Sequence, residues 1–157
     1  MRIGQGIDVH RFSDDPNRPL VLGLVTLLGE RGLAGHSDAD VATHALCDAL
    51  LGAANLGDIG RHFADTDPAF LNIDSGVLLA RVMDLLVAEG WAPISADVTI
   101  IAQQPRLADH LDQMSAALSG ALGTVVAVKA TTTEGLGAIG AGEGIAASAV
   151  VLVDVRP

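Results

Sequence analysis

From Met1-Arg2-Ile3-Gly4-Gln5 the chain enters a strand-like pattern at once, which predicts a first strand over Ile3 to Phe12. Leu20 to Leu28 is apolar with Gly23 inside it, the mark of a short hairpin. Arg31 to His36 predicts a loop. Ser37 then has the chemistry of an N-cap, with Asp38 and Asp40 in the first turn, where the helix dipole favours negative charge. That helix is predicted to run to Asn55 and to close at Leu56-Gly57. Arg61 to Asn72, with Asp65, Asp67 and Pro68, predicts an irregular loop. Ser75 to Glu89 carries Leu78, Leu79, Val82, Leu85 and Leu86 at helical spacing. A strand over Ala96 to Gln103, a helix over Leu107 to Leu122 and a strand over Thr124 to Ala130 follow. Thr131 to Gly144 predicts a Thr- and Gly-rich loop, and Ile145 to Val155 the last strand.

This order predicts one α+β sandwich domain spanning residues 1–157, a mostly four-stranded mixed sheet with helices on one face, ferredoxin-like in outline. The last strand adds a clue. Ile145, Ala147, Ala149, Val151, Val153 and Val155 share one face, yet Ala146, Ser148, Val150 and Leu152 on the other are also mostly apolar. Helices cover only one face. The second needs its own cover, most simply another subunit packed sheet to sheet.

Composition narrows the function classes. The 157 residues are half apolar, with a mean hydropathy of +0.44, which excludes intrinsic disorder. Nine Lys+Arg against 19 Asp+Glu give a net charge of −10. Nucleic acid and anionic membranes are therefore poor partners. A small phosphorylated ligand would need divalent cations and backbone N–H groups to neutralise it. The single Cys47 excludes an internal disulfide and fits a reducing compartment. No signal peptide is visible, and the uncharged stretch Gln113 to Val128 falls short of about 18 apolar residues. A cytoplasmic protein is expected.

Four segments carry candidate chemistry. In Asp8-Val9-His10, residues i and i+2 project from one strand face, as half of a metal site or as a surface polar pair. Asp40, His44 and Asp48 at i, i+4 and i+8 share a helix face, and carboxylates one turn away would support a ligating His44. Asp8, His10 and His44 together make a three-ligand set suited to catalytic zinc with an open position. Cys47 could ligate, but a small buried thiol also fits. Lys129-Ala130-Thr131-Thr132-Thr133-Glu134 enters a Gly-rich loop. Its hydroxyls, amides and carboxylate suit a phosphate with a bound cation, although a Thr run at a strand end also reflects β propensity. Leu56 to Gly60 and Phe63 to Asp67 offer carboxylates to a polyol, or form a solvated acidic loop. His62 and His110 are read as surface residues.

These segments, together with His36-Ser37-Asp38-Ala39-Asp40-Val41 and Asp48-Ala49-Leu50-Leu51-Gly52-Ala53, closely resemble the 2-C-methyl-D-erythritol 2,4-cyclodiphosphate synthase family over nearly the whole chain. The resemblance implies a cyclising, CMP-releasing phosphorus–oxygen lyase of the non-mevalonate isoprenoid route. Its substrate would be 4-diphosphocytidyl-2-C-methyl-D-erythritol 2-phosphate. It also implies a homotrimer with active sites between subunits. By resemblance, Asp8, His10 and His44 hold zinc or another divalent transition metal. Glu134 helps hold a magnesium or manganese ion that bridges the diphosphate. His36 and Thr132 would support the transition state. Asp8, Val9, His10, His36 and Ser37 would touch substrate. Asp58, Ile59 and Gly60 with Phe63, Ala64, Asp65, Thr66 and Asp67 match the methylerythritol pocket. Ala102, Gln103, Gln104, Pro105, Arg106, Leu107 and Ala108, with Thr131, Thr132 and Thr133, match the cytidine and phosphate site.

The chain departs from the family pattern at several positions. Gln5 stands where a His is frequent, and Arg106 and Gly135 stand where Lys is common. Ala138 and Ala141 replace a Phe and an Arg seen in some members, where that Arg lines an axial cavity that can hold an isoprenoid diphosphate. Ala141 offers no such charge. Two other readings compete with the cyclase: a non-catalytic zinc-dependent binder of a phosphorylated isoprenoid precursor, and a metal-dependent phosphohydrolase. The second needs a separate general base, for which the sequence offers no candidate.

Overall fold

The computed structural model describes residues 1–63 and 70–155. Its elements are β1 (Arg2–Arg11), β2 (Leu20–Leu22), β3 (Val25–Leu27), α1 (Val41–Ala54), α2 (Ile59–His62), α3 (Ser75–Ala88), β4 (Trp91–Ile101), α4 (Leu111–Leu122), β5 (Val126–Thr131), α5 (Gly137–Gly140) and β6 (Gly144–Val155). Four strands form a mixed sheet in the order β1-β6-β4-β5, in which only β4 and β5 run parallel. β2 and β3 make a separate hairpin. The expected α+β architecture is present.

Strand alternation sorts the two sheet faces. Gly4, Gly6, Val98, Ile100, Ala147, Ala149 and Val151 point into the helix-covered core. α1 is the centre of that core, with twelve of its fourteen residues buried. The opposite sheet face is open in the single chain. Ile3, Ile7 and Val9 of β1 are 72%, 60% and 57% exposed, and Val150 of β6 joins them. The other half of that face is polar, with Lys129 ion-paired to Asp97.

Several boundaries differ from the sequence reading. Ser37 is not the N-cap of α1; Asp40 is, accepting from the Ala42 and Thr43 N–H groups. Ala39 has φ +59°, a left-handed conformation that stops the helix from extending back to Ser37. β4 begins at Trp91, five residues early. Residues 91–95 have β6 on one side only, so Pro93 is tolerated beside a register shift. α4 begins at Leu111, because residues 107–110 form a separate turn closed by the His110 N–H on the Leu107 carbonyl. Two short helices, α2 and α5, interrupt predicted loops.

Candidate functional site

β1 supplies Asp8 and His10, and α1 supplies His44. Two glycines explain why the elements meet. A Cβ on Gly6 would lie 2.1 Å from the Ala45 carbonyl oxygen, and one on Gly4 would lie 1.9 Å from that of Ala49. α1 therefore rests on bare β1 backbone. Asp8 and His10 are the next inward positions along that strand, beside His44. Asp8 Oδ2 lies 3.0 Å from His44 Nδ1 and 3.1 Å from His10 Nε2. One ligand atom from each of the three residues falls within 4.8 Å of the others.

The outer ring nitrogens are anchored. His10 Nδ1 donates to the Ala34 carbonyl at 2.7 Å, which leaves Nε2 facing Asp8 as the nitrogen that a metal could take. His44 Nε2 lies between two hydroxyls, Ser75 Oγ at 3.0 Å and Ser37 Oγ at 3.1 Å. Two imidazole nitrogens and a carboxylate oxygen converging at this spacing fit a divalent transition metal with bonds of about 2.0–2.2 Å. Burial opposes ionisation of Asp8, but hydrogen bonds and charge from His10 and His44 hold its carboxyl well below the usual carboxylate range. Burial likewise works against protonated His10. The Asp8 hydrogen bond and charge, with the Ala34 carbonyl, overcome it and raise His10 above its ordinary 6.5.

The cluster opens into a cavity of about 540 Å³. His36 and Ser37 share it with Ile59, Gly60, Phe63 and Phe70. Asp58 caps α2 by accepting from the Arg61 N–H at 2.9 Å. Val9 points to the opposite sheet face, but its N–H donates to Asp8 Oδ1. Residues Ala64, Asp65, Thr66 and Asp67 lie outside the described residues.

A second cavity, of about 230 Å³, lies at the other sheet edge. Ala102, Gln103, Pro105, Arg106 and Leu107 line it with Thr131 and Thr132. Gln104 is exposed, and its amide lies against Gly142; Ala108 is exposed too. In the adjoining loop, Thr132 Oγ1 donates to Glu134 Oε1 at 3.0 Å, and Thr133 Oγ1 donates to the Leu136 carbonyl. The register sets Val9, Ala146, Ile101 and Thr131 in one row across β1, β6, β4 and β5. Three strand spacings, about 14 Å, thus separate the β1 edge from the β5 edge. Within one chain Glu134 and Thr132 are not in the Asp8–His10–His44 cluster.

The YgbB family model matches residues 1–154. The chain belongs to the YgbB family. A family relative from Thiobacillus denitrificans, a 2-C-methyl-D-erythritol 2,4-cyclodiphosphate synthase, is 56% identical over 157 residues, covering 98% of this chain and 97% of its own. A solved synthase structure with CDP bound superposes with a TM-score of 0.87 at 38% identity, covering 98% of this chain and all (100%) of that one. The bifunctional IspDF of Campylobacter jejuni superposes with a TM-score of 0.92 at 42% identity over 98% of this chain, which spans 42% of that longer protein. Among the described residues of this YgbB-family chain, no helix is long and apolar enough to cross a membrane.

Other candidates take different positions from those expected. The carboxylates one turn from His44 do not support it. Asp40 is fully buried and accepts from the Gly23 and Leu24 N–H groups as well as from its own helix. Asp48 turns to the Ile59 N–H at 2.8 Å, and burial, helped by Asp58 and Asp8, raises its pKa. Cys47 is a core thiol, pushed well up by burial and outside the cluster. His62 is half-buried, with Nε2 on the Leu56 carbonyl, and His110 precedes α4.

Three supports were not legible in the chain. The Ala34 carbonyl orients His10. Arg18 reaches across 15 or more residues to the carbonyls of Leu33, Gly35 and Ser37, strapping the loop that carries His36. Ser75, read simply as a helix start, is buried against His44. All three are contacts between segments distant in sequence, and no local spacing announces them.

Proposed function

We propose that the chain converts 4-diphosphocytidyl-2-C-methyl-D-erythritol 2-phosphate to 2-C-methyl-D-erythritol 2,4-cyclodiphosphate and CMP. The observation that carries this reading is the convergence of Asp8, His10 and His44 on one point of a cavity shared with His36, Ile59, Gly60 and Phe63. Family membership supplies the reaction class.

Asp8 Oδ2, His10 Nε2 and His44 Nδ1 would hold a divalent transition metal, taken as zinc, and Glu134 would help hold magnesium or manganese. Bound cations there would neutralise phosphate charge and fix its orientation, a need set by a protein of net charge −10. In the reaction a 2-phosphate oxygen attacks the β-phosphorus, the bond from that phosphorus to the CMP oxygen breaks, and CMP leaves. The nucleophile is already anionic near neutral pH, so no side chain need remove a proton. His36, on the loop strapped by Arg18, would donate to the phosphate. Ile59, Gly60 and Phe63 would shape the methylerythritol pocket, with Asp58 beside them. Residues Ala102 to Ala108 and Thr131 to Thr133 would hold the cytidine and its diphosphate.

The reaction requires both sheet edges in one site. The roughly 14 Å between them supports a homotrimer in which the β5 edge of one copy meets the β1 edge of the next. The open face with Ile3, Ile7, Val9 and Val150 supports the same packing. Ala141, exposed at the end of α5, brings no charge to such an assembly, so an axial prenyl diphosphate is not part of this reading. Phosphorus NMR of the protein with the diphosphocytidyl substrate and magnesium tests the reaction. Free CMP and a cyclic diphosphate are expected; CMP with a linear product would identify a hydrolase instead.

A further inference from the structure

His44 Nε2 is 3.0 Å from Ser75 Oγ, the first residue of α3, and Ser75 is fully buried. Behind Ser75 stands Asp38, in the loop before α1. One carboxylate oxygen, Oδ2, accepts from the Ser75 N–H at 2.9 Å, and the other, Oδ1, accepts from the Ser75 hydroxyl. Two further bonds hold this junction: the Asp38 N–H donates to the Ile73 carbonyl, and the Asn72 N–H donates to the His36 carbonyl.

The direction of these bonds is fixed by chemistry. An ionised carboxylate accepts only, so the hydroxyl proton of Ser75 belongs to Asp38. Ser75 Oγ then offers His44 a lone pair, which favours donation from the ring through Nε2–H. The other nitrogen, Nδ1, lies 3.0 Å from Asp8 Oδ2, so without a metal Asp8 and Ser75 compete for the one proton of a neutral ring, and a metal can take the Nδ1 lone pair only when Ser75 holds that proton at Nε2. We infer that Asp38 and Ser75 are positioning residues whose polarised hydrogen-bond chain fixes the His44 tautomer that can ligate a metal. The inference rests on the metal-site reading above. It replaces Asp40 and Asp48, whose carboxylates are engaged elsewhere, as the support for His44.

Asp38→Asn reverses the chain. The amide oxygen must stay on the Ser75 N–H, since an NH₂ group there would set donor against donor. The 2.9 Å bond outweighs the longer 3.3 Å one from the Asp40 N–H to Oδ1. The amide NH₂ then donates to Ser75 Oγ, and the freed hydroxyl proton turns to His44 Nε2. That selects the Nδ1–H tautomer, with its proton where the metal would bind.

Nitrogen-15 NMR of the imidazoles in metal-free Asp8→Ala protein at about pH 8, where no carboxylate faces Nδ1 and an ordinary His is neutral, reads the tautomer that Ser75 and Asp38 select. Zinc affinity by chelator competition reads the consequence. The Asp8→Ala protein is expected to show His44 as Nε2–H. Added to Asp8→Ala, Asp38→Asn is expected to shift it to Nδ1–H, and on its own Asp38→Asn is expected to weaken zinc binding about 10-fold to 100-fold. Ser75→Ala leaves only Ser37 behind the ring; it is expected to show a tautomer mixture and a smaller loss, and it decides the matter if Asp38→Asn does not fold. An unchanged Nε2–H tautomer with affinity within about twofold of the parent in a folded variant overturns the inference. His44→Ala is the control: if it binds zinc as the parent does, the metal-site reading itself fails.

Discussion

Gly6 lies directly beneath Ala45, so close that a Cβ on the glycine would come within 2.1 Å of the Ala45 carbonyl oxygen. That contact sets the distance between β1 and α1, and with it the distance between Asp8 and His44. The obstructing atom is backbone and cannot rotate away. Gly6→Ala is therefore expected to push α1 outward and to cost at least about 3 kcal/mol, at or beyond the upper end of ordinary overpacking. Thermal unfolding should show the loss. Zinc titration of the folded fraction should show weakened binding, whereas binding equal to the parent's would mean that α1 can shift without moving His44.

Asp40 joins the β2–β3 turn to the start of α1. Its buried carboxylate accepts from Gly23, Leu24, Ala42 and Thr43 N–H groups and from the Thr43 hydroxyl. Gly23 and Leu24 both have positive φ, so the hairpin turn presents two adjacent N–H groups to one acceptor. Asp40→Ala leaves these donors unpaired inside the protein. A destabilisation of about 3–5 kcal/mol is expected in denaturant melts, well above an ordinary N-cap loss of about 1 kcal/mol. A loss near 1 kcal/mol would reduce Asp40 to a simple cap.

The metal centre carries a pH dependence with a defined sign. In the metal-free protein Asp8 is depressed below 3.8 and His10 is raised above 6.5. The Asp8 contribution to stability is present above 3.8 and fades as pH falls through its folded value. That of His10 is full below 6.5 and fades as pH rises through its raised value. The pair thus helps the metal-free fold most between these two ordinary values. Metal must displace the His10 proton, so its binding strengthens over the range where the pair weakens. The gap in Tm between zinc-loaded and metal-free protein should widen from about pH 6 to about pH 8. A constant gap would remove His10 from the ligand set.

Asp8→Ala and Thr132→Ala disable opposite sheet edges of the same chain. Each variant alone is expected to lose most activity. If a working site takes β1 from one copy and β5 from the next, mixed assemblies contain some sites with neither defect. Activity should return after subunit exchange. No recovery, with exchange verified by native mass spectrometry, would confine the site to one chain.

Much of this protein was legible along the chain. The α3 boundaries, the hairpin around Gly23, the α+β order and the two apolar faces of β6 follow from spacing that each segment carries by itself. Asp8 and His10 announce themselves as a pair, because strand alternation needs no partner to set it. Membership of Asp8, His10 and His44 in one cluster could be anticipated only as a set of suitable donors. The actual meeting depends on Gly4 and Gly6 letting a helix lie on bare strand. Ser37 and Asp40 are both good caps for the start of α1, and only the left-handed Ala39 and the hairpin N–H groups choose between them. Tertiary structure alone assigned the neighbours of His44, replacing carboxylates one turn away with Ser75 and Asp38. It also set Thr132 and Glu134 on the far sheet edge. Sequence spacing fixes which way a side chain leaves its own strand or helix, whereas strand order and helix docking decide which distant groups it meets.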